Sequence, residues 1–294
     1  MERNVTQQEL AEKVTEFLME RKMDEHNTMN WGLGVFREKL LLSMDDIHTN
    51  SADIFELIVG LKEKYKPSSV NHIANSIKSF FNWMEERGYT EGNMLSKFPR
   101  GLIAIPKRDA VLFTEQNYSD MLDKSEGTEW NLLIKIGWNT GMRIGDCARL
   151  MWESVILEER TIALKPSKTS EFETRVEIPM SNELYEALLE KNGLRDGNKF
   201  VMGRLAIISM VGNGNISRHF KYFLDGAGLY KKGKTFHAFR RTAISRWLSH
   251  PNADIITVKH LSGHKNMKSL LRYIHPSLEK KKLIMGIECP STQQ

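Results

Sequence analysis

Residues 235–276 read TFHAFRRTAISRWLSHPNADIITVKHLSGHKNMKSLLRYIHP, and the rest of the chain is interpreted from this stretch. His237 and Arg240 are three apart, so a helix puts them on one face. Ala243, Ile244, Trp247 and Leu248 continue that segment at helical spacing as its core side. Pro251-Asn252 breaks it, and Asp254 opens a second short helix through Ile255, Ile256, Val258 and Leu261. Gly263 suits a C-terminal cap, because glycine takes the left-handed conformation at little cost, which leaves His264 on a turn just beyond. A third helical segment, Met267 to Ile274, carries Tyr273. Three helices thus bring two imidazoles, a guanidinium and a phenol within reach of one another.

Outward from there, Trp130 to Leu150 reads as an apolar helix, a turn at Asn139-Thr140-Gly141 and a second helix carrying Arg143. A charge among such apolar flanks needs a partner, and Asp146, three residues on, can hold the guanidinium from behind. Thr161 to Met180 alternates like a β-hairpin through Ile162 and Leu164, then Val176 and Ile178. Its loop carries Lys168, with Lys165 just before Pro166 at the end of the first strand.

The order H-x-x-R, L-S-G-H and a tyrosine nine residues later, preceded by T-G-M-R-I-G-D and a hairpin lysine followed by Thr169, resembles the tyrosine recombinase (phage integrase) family. That is the group of lambda integrase, Cre and the Xer proteins. The resemblance covers residues 110 to 285 well and the N-terminal part loosely. It implies a mainly α fold with a small antiparallel β-hairpin in a catalytic domain, in a two-domain architecture. It assigns Arg143, Lys168, His237, Arg240, His264 and Tyr273 as the catalytic set. The chain has H-A-F-R-R where the family often has H-x-L-R-H; Phe239 fills the apolar role, and Arg241 lacks only a neighbouring histidine.

The residue chemistry agrees. A phosphodiester resists attack because it is anionic and its alkoxide leaves poorly. A metal-free catalyst must supply cations, a nucleophile and an acid. Arg143 and Arg240 are permanent cations with phosphate-matched forks. His237 and His264 add hydrogen bonds, and His237 can accept the phenol proton. Tyr273 is the nucleophile and Lys168, in preference to Lys165, the acid for the leaving oxygen. No paired-carboxylate site or Walker A motif is present, so no metal or other cofactor is expected. The resemblance adds a 3′-phosphotyrosyl link, strand exchange through a Holliday junction and a homotetramer on two duplex DNA sites. The alternatives are a type IB topoisomerase, a DNA-binding regulator that has lost activity, and a metalloenzyme using His237 and His264.

The composition is compatible with a DNA-acting enzyme. The chain has 294 residues, 40% of them hydrophobic, with net charge +5, mean hydropathy −0.42 and pI near 9.0. Through residue 105 there are 13 basic and 16 acidic residues, net −3; of the totals of 42 and 37 this leaves 29 and 21, net +8. The positive excess falls in the half with the His/Arg/Tyr set, which suits a polyanion. No apolar run approaches a membrane span and the start has no signal-peptide core, so no membrane partner is expected. Two cysteines, Cys147 and Cys289, give neither a disulfide framework nor zinc spacing. The expected location is the cytoplasm, at the nucleoid.

Residues 1–105 read as a helical domain and 106–294 as the catalytic domain with a C-terminal tail. Leu10, Val14, Phe17 and Leu18 form one stripe; Trp31, Val35 and Phe36 begin another, and Ile54, Leu57, Ile58 and Leu61 a third. The fourth follows Ser68-Ser69, runs through Val70, Ile73, Ile77, Phe80, Phe81 and Met84, and stops at Gly88. The resemblance makes this a core-binding domain that clamps DNA; Lys62, Lys64, Lys66, Ser68, Asn71, Asn75 and Lys78 are phosphate contacts or a plain wet helix face. Phe98 to Leu112 is a linker. Thr114 is a helix N-cap, with Asn117 where a capping box wants Glu or Gln. A basic helix with Arg218, Lys221 and Tyr222 and a loop with Lys231, Lys232 and Lys234 suit a DNA backbone. The apolar run Leu283, Ile284, Met285 and Ile287 needs burial, and the resemblance implies docking on a neighbouring protomer.

Overall fold

The structure, a computed structural model, describes residues 7–22, 28–42, 51–93, 95–97, 101–105, 111–164, 176–195, 197–211, 215–230, 234–264, 266–273 and 285. The chain forms two compact units, Met1–Arg108 and Asp109–Gln294. Lys165, Lys168, Lys231, Lys232, Leu283, Ile284, Ile287 and Cys289 lie outside the described residues.

The first unit is helical: α1 Gln7–Glu20, α2 Thr28–Leu42, α3 Ser51–Gly60 and α4 Pro67–Glu86. The apolar stripes read from the sequence face one another. Phe17, Phe36, Phe80, Phe81 and Trp83 are fully buried and meet largely edge to face, with Phe17 and Phe80 centroids 5.8 Å apart. Each such ring removed from water contributes about 1.5–3 kcal/mol, and the T-shaped pairs somewhat more. Helix α4 begins at Pro67, ahead of the start expected after Ser68-Ser69. Lys66 is extended and Pro occupies the first turn, where its missing N–H costs nothing. Asn71 is not a phosphate contact. It is buried, and its amide donates to Ile103 O and accepts from Ile103 N, both at 2.8 Å. Lys78 Nζ donates to Ser96 O at 3.0 Å.

The second unit is helical around a small antiparallel sheet. Its elements are α5 Glu115–Ser125, α6 Glu129–Thr140, α7 Ile144–Ala148, β1 Val155–Ile156, β2 Thr161–Leu164 and β3 Val176–Pro179. There follow α8 Asn182–Gly193, α9 Gly203–Met210, α10 Asn215–Gly226, α11 His237–Ser249, α12 Ile255–Ser262 and α13 Met267–Leu270. A 3-10 turn, Leu271–Tyr273, ends the series. The mainly α expectation with a small antiparallel sheet holds. The hairpin has Ile162 opposite Ile178 and Leu164 opposite Val176, and β1 adds a third strand in the order β1-β2-β3. Helix α9 occupies a stretch for which the sequence named no element. No helix among the described residues is long and apolar enough to cross a membrane.

At the start of α5 a full capping box forms despite the asparagine. Asn117 N donates to Thr114 Oγ1 at 3.2 Å, and Thr114 N to Asn117 Oδ1 at 3.3 Å. The shorter amide reaches because its oxygen needs to span only three residues. The same oxygen accepts from Lys234 Nζ at 2.6 Å, so this lysine of the basic loop is tied to α5.

Candidate active site

Three helix ends and one 3-10 turn build the site. Helix α6 ends at Thr140, whose Oγ1 donates to Ile136 O at 2.6 Å and accepts from Met142 N at 3.2 Å. Gly141 follows with φ +59°. A Cβ there would lie 3.0 Å from Ala243 Cβ and 3.6 Å from Arg240 Cα, so glycine is required both for its conformation and for the close approach of α11. Arg143 is the residue before α7, not within a helix. It is partly exposed, and its Nη1 lies 3.8 Å from Asp146 Oδ2. Asp146 is shared with Arg149, whose Nη2 lies 4.0 Å from Oδ1 and whose Nη1 donates to Ser209 Oγ at 2.6 Å.

Helix α11 is pinned at its start and in its second turn. The Phe236 ring sits against Gly137, where a Cβ would come within 2.4 Å of the ring. Phe113 N donates to buried Thr242 Oγ1 at 2.9 Å. His237 is therefore held in the exposed first turn, while Arg240 points inward and is 5% exposed. Arg240 Nη1 donates to Gly141 O at 3.1 Å, and its Nη2 donates to Ser262 O. Both acceptors are main-chain carbonyls, neutral dipoles that orient the guanidinium without cancelling its charge. Burial first, then repulsion from Arg143, pushes its pKa down to about 10, so it stays a cation at neutral pH.

Helix α12 starts at Asp254, whose carboxylate accepts from Ile256 N and Thr257 N at 2.9 and 2.8 Å, and ends at Gly263 with φ +61°. This puts His264 past the helix end, as its spacing implied. Its Nδ1 is 2.7 Å from Ser262 Oγ, and its ring centre lies 5.8 Å from that of Tyr273. Burial is the main cause that lowers its pKa to about 4, with Arg240, Arg143 and His237 adding repulsion. Tyr273 is half-buried against Ile244, Val258 and Leu270.

The structure thus gathers Arg143, His237, Arg240, His264 and Tyr273 within electrostatic reach of one another; Lys168 lies outside the described residues. Sequence reasoning missed Ser262 and the two carbonyls that seat Arg240. A serine two places before His264 was the visible signal for the first; backbone acceptors leave no signal in side-chain identity. Among the described residues no group of three His, Cys, Asp or Glu is placed to hold a metal ion. Elsewhere, α10 buries Ile216, Phe220 and Leu224 and exposes Arg218, Lys221 and Tyr222. A fixed cation beside a phenol and a neutral imidazole suits an oxyanion and a nucleophile in line with it.

A model of the phage integrase family matches residues 112–280. Tyrosine recombinase XerC of Caldanaerobacter subterraneus subsp. tengcongensis is 24% identical over 216 residues, covering 71% of this chain and 59% of that protein. XerC of Oceanobacillus iheyensis is 25% identical over 222 residues, covering 70% of each. The chain therefore spans less than two thirds of the first relative's length. Among solved structures, Tn1549 transposon integrase in complex with transposon right end DNA aligns with TM-score 0.68 at 18% identity, covering 94% of this chain and 98% of that one. A lambda integrase tetramer bound to a Holliday junction aligns with TM-score 0.70 at 18% identity, covering 92% and 78%. These structural likenesses establish the fold.

Proposed function

The chain belongs to the phage integrase family, and from that premise we propose that it is a site-specific DNA recombinase. One observation carries the reading: Arg143, Arg240, His264 and Tyr273 come from separate elements to one place, with the imidazole and phenol centres 5.8 Å apart.

The proposed chemistry is a transesterification. The Tyr273 oxygen attacks phosphorus, its proton passes to His237, and the bond to the 5′ oxygen breaks as Lys168 protonates that oxygen. The product is a 3′-phosphotyrosyl ester and a free 5′ hydroxyl. Attack by a second 5′ hydroxyl reverses each step and exchanges strands, without net bond loss and so without ATP. Arg143 and Arg240 hold the non-bridging oxygens, where their contacts strengthen as charge develops. Duplex DNA is the partner, bound with help from the N-terminal helical unit and the exposed face of α10. The active species is a homotetramer on paired sites, in the cytoplasm at the nucleoid.

Incubation with a nicked suicide duplex tests this. The protein should form a denaturant-stable adduct, and Tyr273→Phe should bind the duplex and form none. An undiminished adduct in Tyr273→Phe would overturn the assignment and turn attention to Tyr222 and Tyr230. Lys168→Ala should cleave a normal phosphodiester slowly and recover on a substrate with sulfur at the bridging 5′ position, because a thiolate leaves without a proton. Lys165→Ala should show no such selective rescue.

A further inference from the structure

We propose that Ser262 is a positioning residue that holds neutral His264 as its Nε2–H tautomer, so that this imidazole serves the site as a hydrogen-bond donor and not as a base. Ser262 is the last residue of α12 and its side chain is buried. It touches two members of the site at once: its carbonyl accepts from Arg240 Nη2, and its Oγ lies 2.7 Å from His264 Nδ1.

The hydroxyl has one proton and two neighbours able to accept it, His264 Nδ1 at 2.7 Å and Lys259 O at 3.2 Å. Lys259 O is already served. It accepts the main-chain N–H of His264 at 3.2 Å and a share of that of Gly263, whose shorter bond, 3.0 Å, is to His260 O. A carbonyl oxygen has two lone pairs, so at Lys259 O the hydroxyl competes with two main-chain N–H groups, whereas at His264 Nδ1 it has the lone pair to itself and the shorter distance. The hydroxyl proton therefore goes to the shorter contact, His264 Nδ1. A nitrogen that accepts carries no proton, so the neutral ring must carry its proton on Nε2. Burial and the facing cations Arg240 and Arg143, with His237, keep the ring neutral at pH 7.

The catalytic consequence rests on the recombinase reading; the tautomer does not. An Nε2–H can donate to a phosphate oxygen but cannot take the phenol proton, which leaves that task to His237. Threonine at position 262 would do the same work, and alanine would remove the hydroxyl while keeping the carbonyl that seats Arg240. The two contributions of this residue can therefore be separated.

The test uses the full chain with its histidines labelled by ¹⁵N. Long-range ¹H–¹⁵N correlation distinguishes protonated from bare ring nitrogens, and the His264 signals are those lost in His264→Gln. The wild type and Ser262→Thr should show a bare Nδ1 and a protonated Nε2. Ser262→Ala should shift toward a mixture of tautomers, with cleavage of the nicked duplex lower by about tenfold, the scale of one lost hydrogen bond, and duplex binding unchanged. Threonine should restore the rate. A protonated Nδ1 in the wild type, or wild-type ring signals and cleavage in Ser262→Ala, would overturn the proposal. If alanine prevents folding, the wild-type and threonine spectra decide. The expected spectra with no tyrosyl adduct would sink the recombinase reading and leave the tautomer assignment standing.

Discussion

Two arginines, one in each unit, are held in opposite ways. In the first, Arg87 is exposed and meets the carboxylate of Glu20, which also accepts from Trp83 Nε1 at 3.0 Å. In the second, Arg240 is buried and meets the carbonyls of Gly141 and Ser262. A carboxylate cancels a positive charge, whereas carbonyl dipoles aim it and leave it in place. Taking an ion out of water without a counter-ion is costly, and that cost shows in the guanidinium's lowered proton affinity. The surface pair fastens α1 to the end of α4; the buried one keeps a cation fixed near Tyr273, with Asp146 attracting it from a distance and, among the described residues, no carboxylate bonded to it. On the recombinase reading, an incoming phosphate would complete the neutralisation.

Arg240→Met breaks this contrast most severely. It should lower adduct formation by about a thousandfold while changing unfolding free energy in urea by no more than about 2 kcal/mol. The relief of a buried charge offsets two carbonyls left unpaired. A collapse of stability parallel to the loss of rate would make Arg240 a structural residue. Phe80→Ala should do the reverse in the helical unit, costing about 3–5 kcal/mol of stability, with cleavage of pre-bound DNA nearly unchanged. Gly141→Ala should cost about 1–2 kcal/mol, from its left-handed backbone and the crowding of Ala243, and should slow cleavage by moving the carbonyl that aims Arg240.

The smallest effect separates the units by pH. His264 has a folded pKa near 4 against 6.5 for the free side chain, so the unfolded chain binds its proton first. Its contribution is complete above 6.5 and is lost as pH falls toward 4. The ring is half-exposed, so the loss is on the order of 1 kcal/mol after screening. Glu16 and Glu20 are held below the ordinary carboxylate value of 4.5, chiefly through bonds from Lys13 and Arg87 respectively. Their contribution is present above 4.5 and is lost only below it. Hydrogen exchange, corrected for its intrinsic pH dependence and read by peptide, should loosen α11 and α12 before α1 and α4. In His264→Gln the first window should disappear.

What the sequence disclosed depended on how local the cause was. The apolar face of α4 from Val70 to Met84 was legible because its period is written in consecutive residues. The turn at Gly263 was legible because only glycine suits it. The same holds for His264 and Tyr273, whose chemistry is in their identity. The two-residue strand β1 was not, because Val155 and Ile156 pair with residues already committed to the hairpin and have no period of their own. Asn71 looked like a surface amide because its partner, Ile103, is 32 residues away. The seat of Arg240 was invisible for a like reason: its acceptors are carbonyls, which every residue has.

The seat of Arg240 also fixes a time order. Its two bonds reach 99 residues back and 22 residues forward, and Phe113 reaches 129 residues to Thr242. Contacts so distant in sequence close late, after their intervening loops have been confined. On a ribosome adding about 5–20 residues per second, the chain exists for roughly 6–24 seconds with α6 made and α12 still unmade. During that interval the nascent chain has made the helical unit but has neither the seat of Arg240 nor Tyr273. On the recombinase reading, the proposed capacity to cut DNA then arrives only with the residues around Tyr273, once the seat of Arg240 can close.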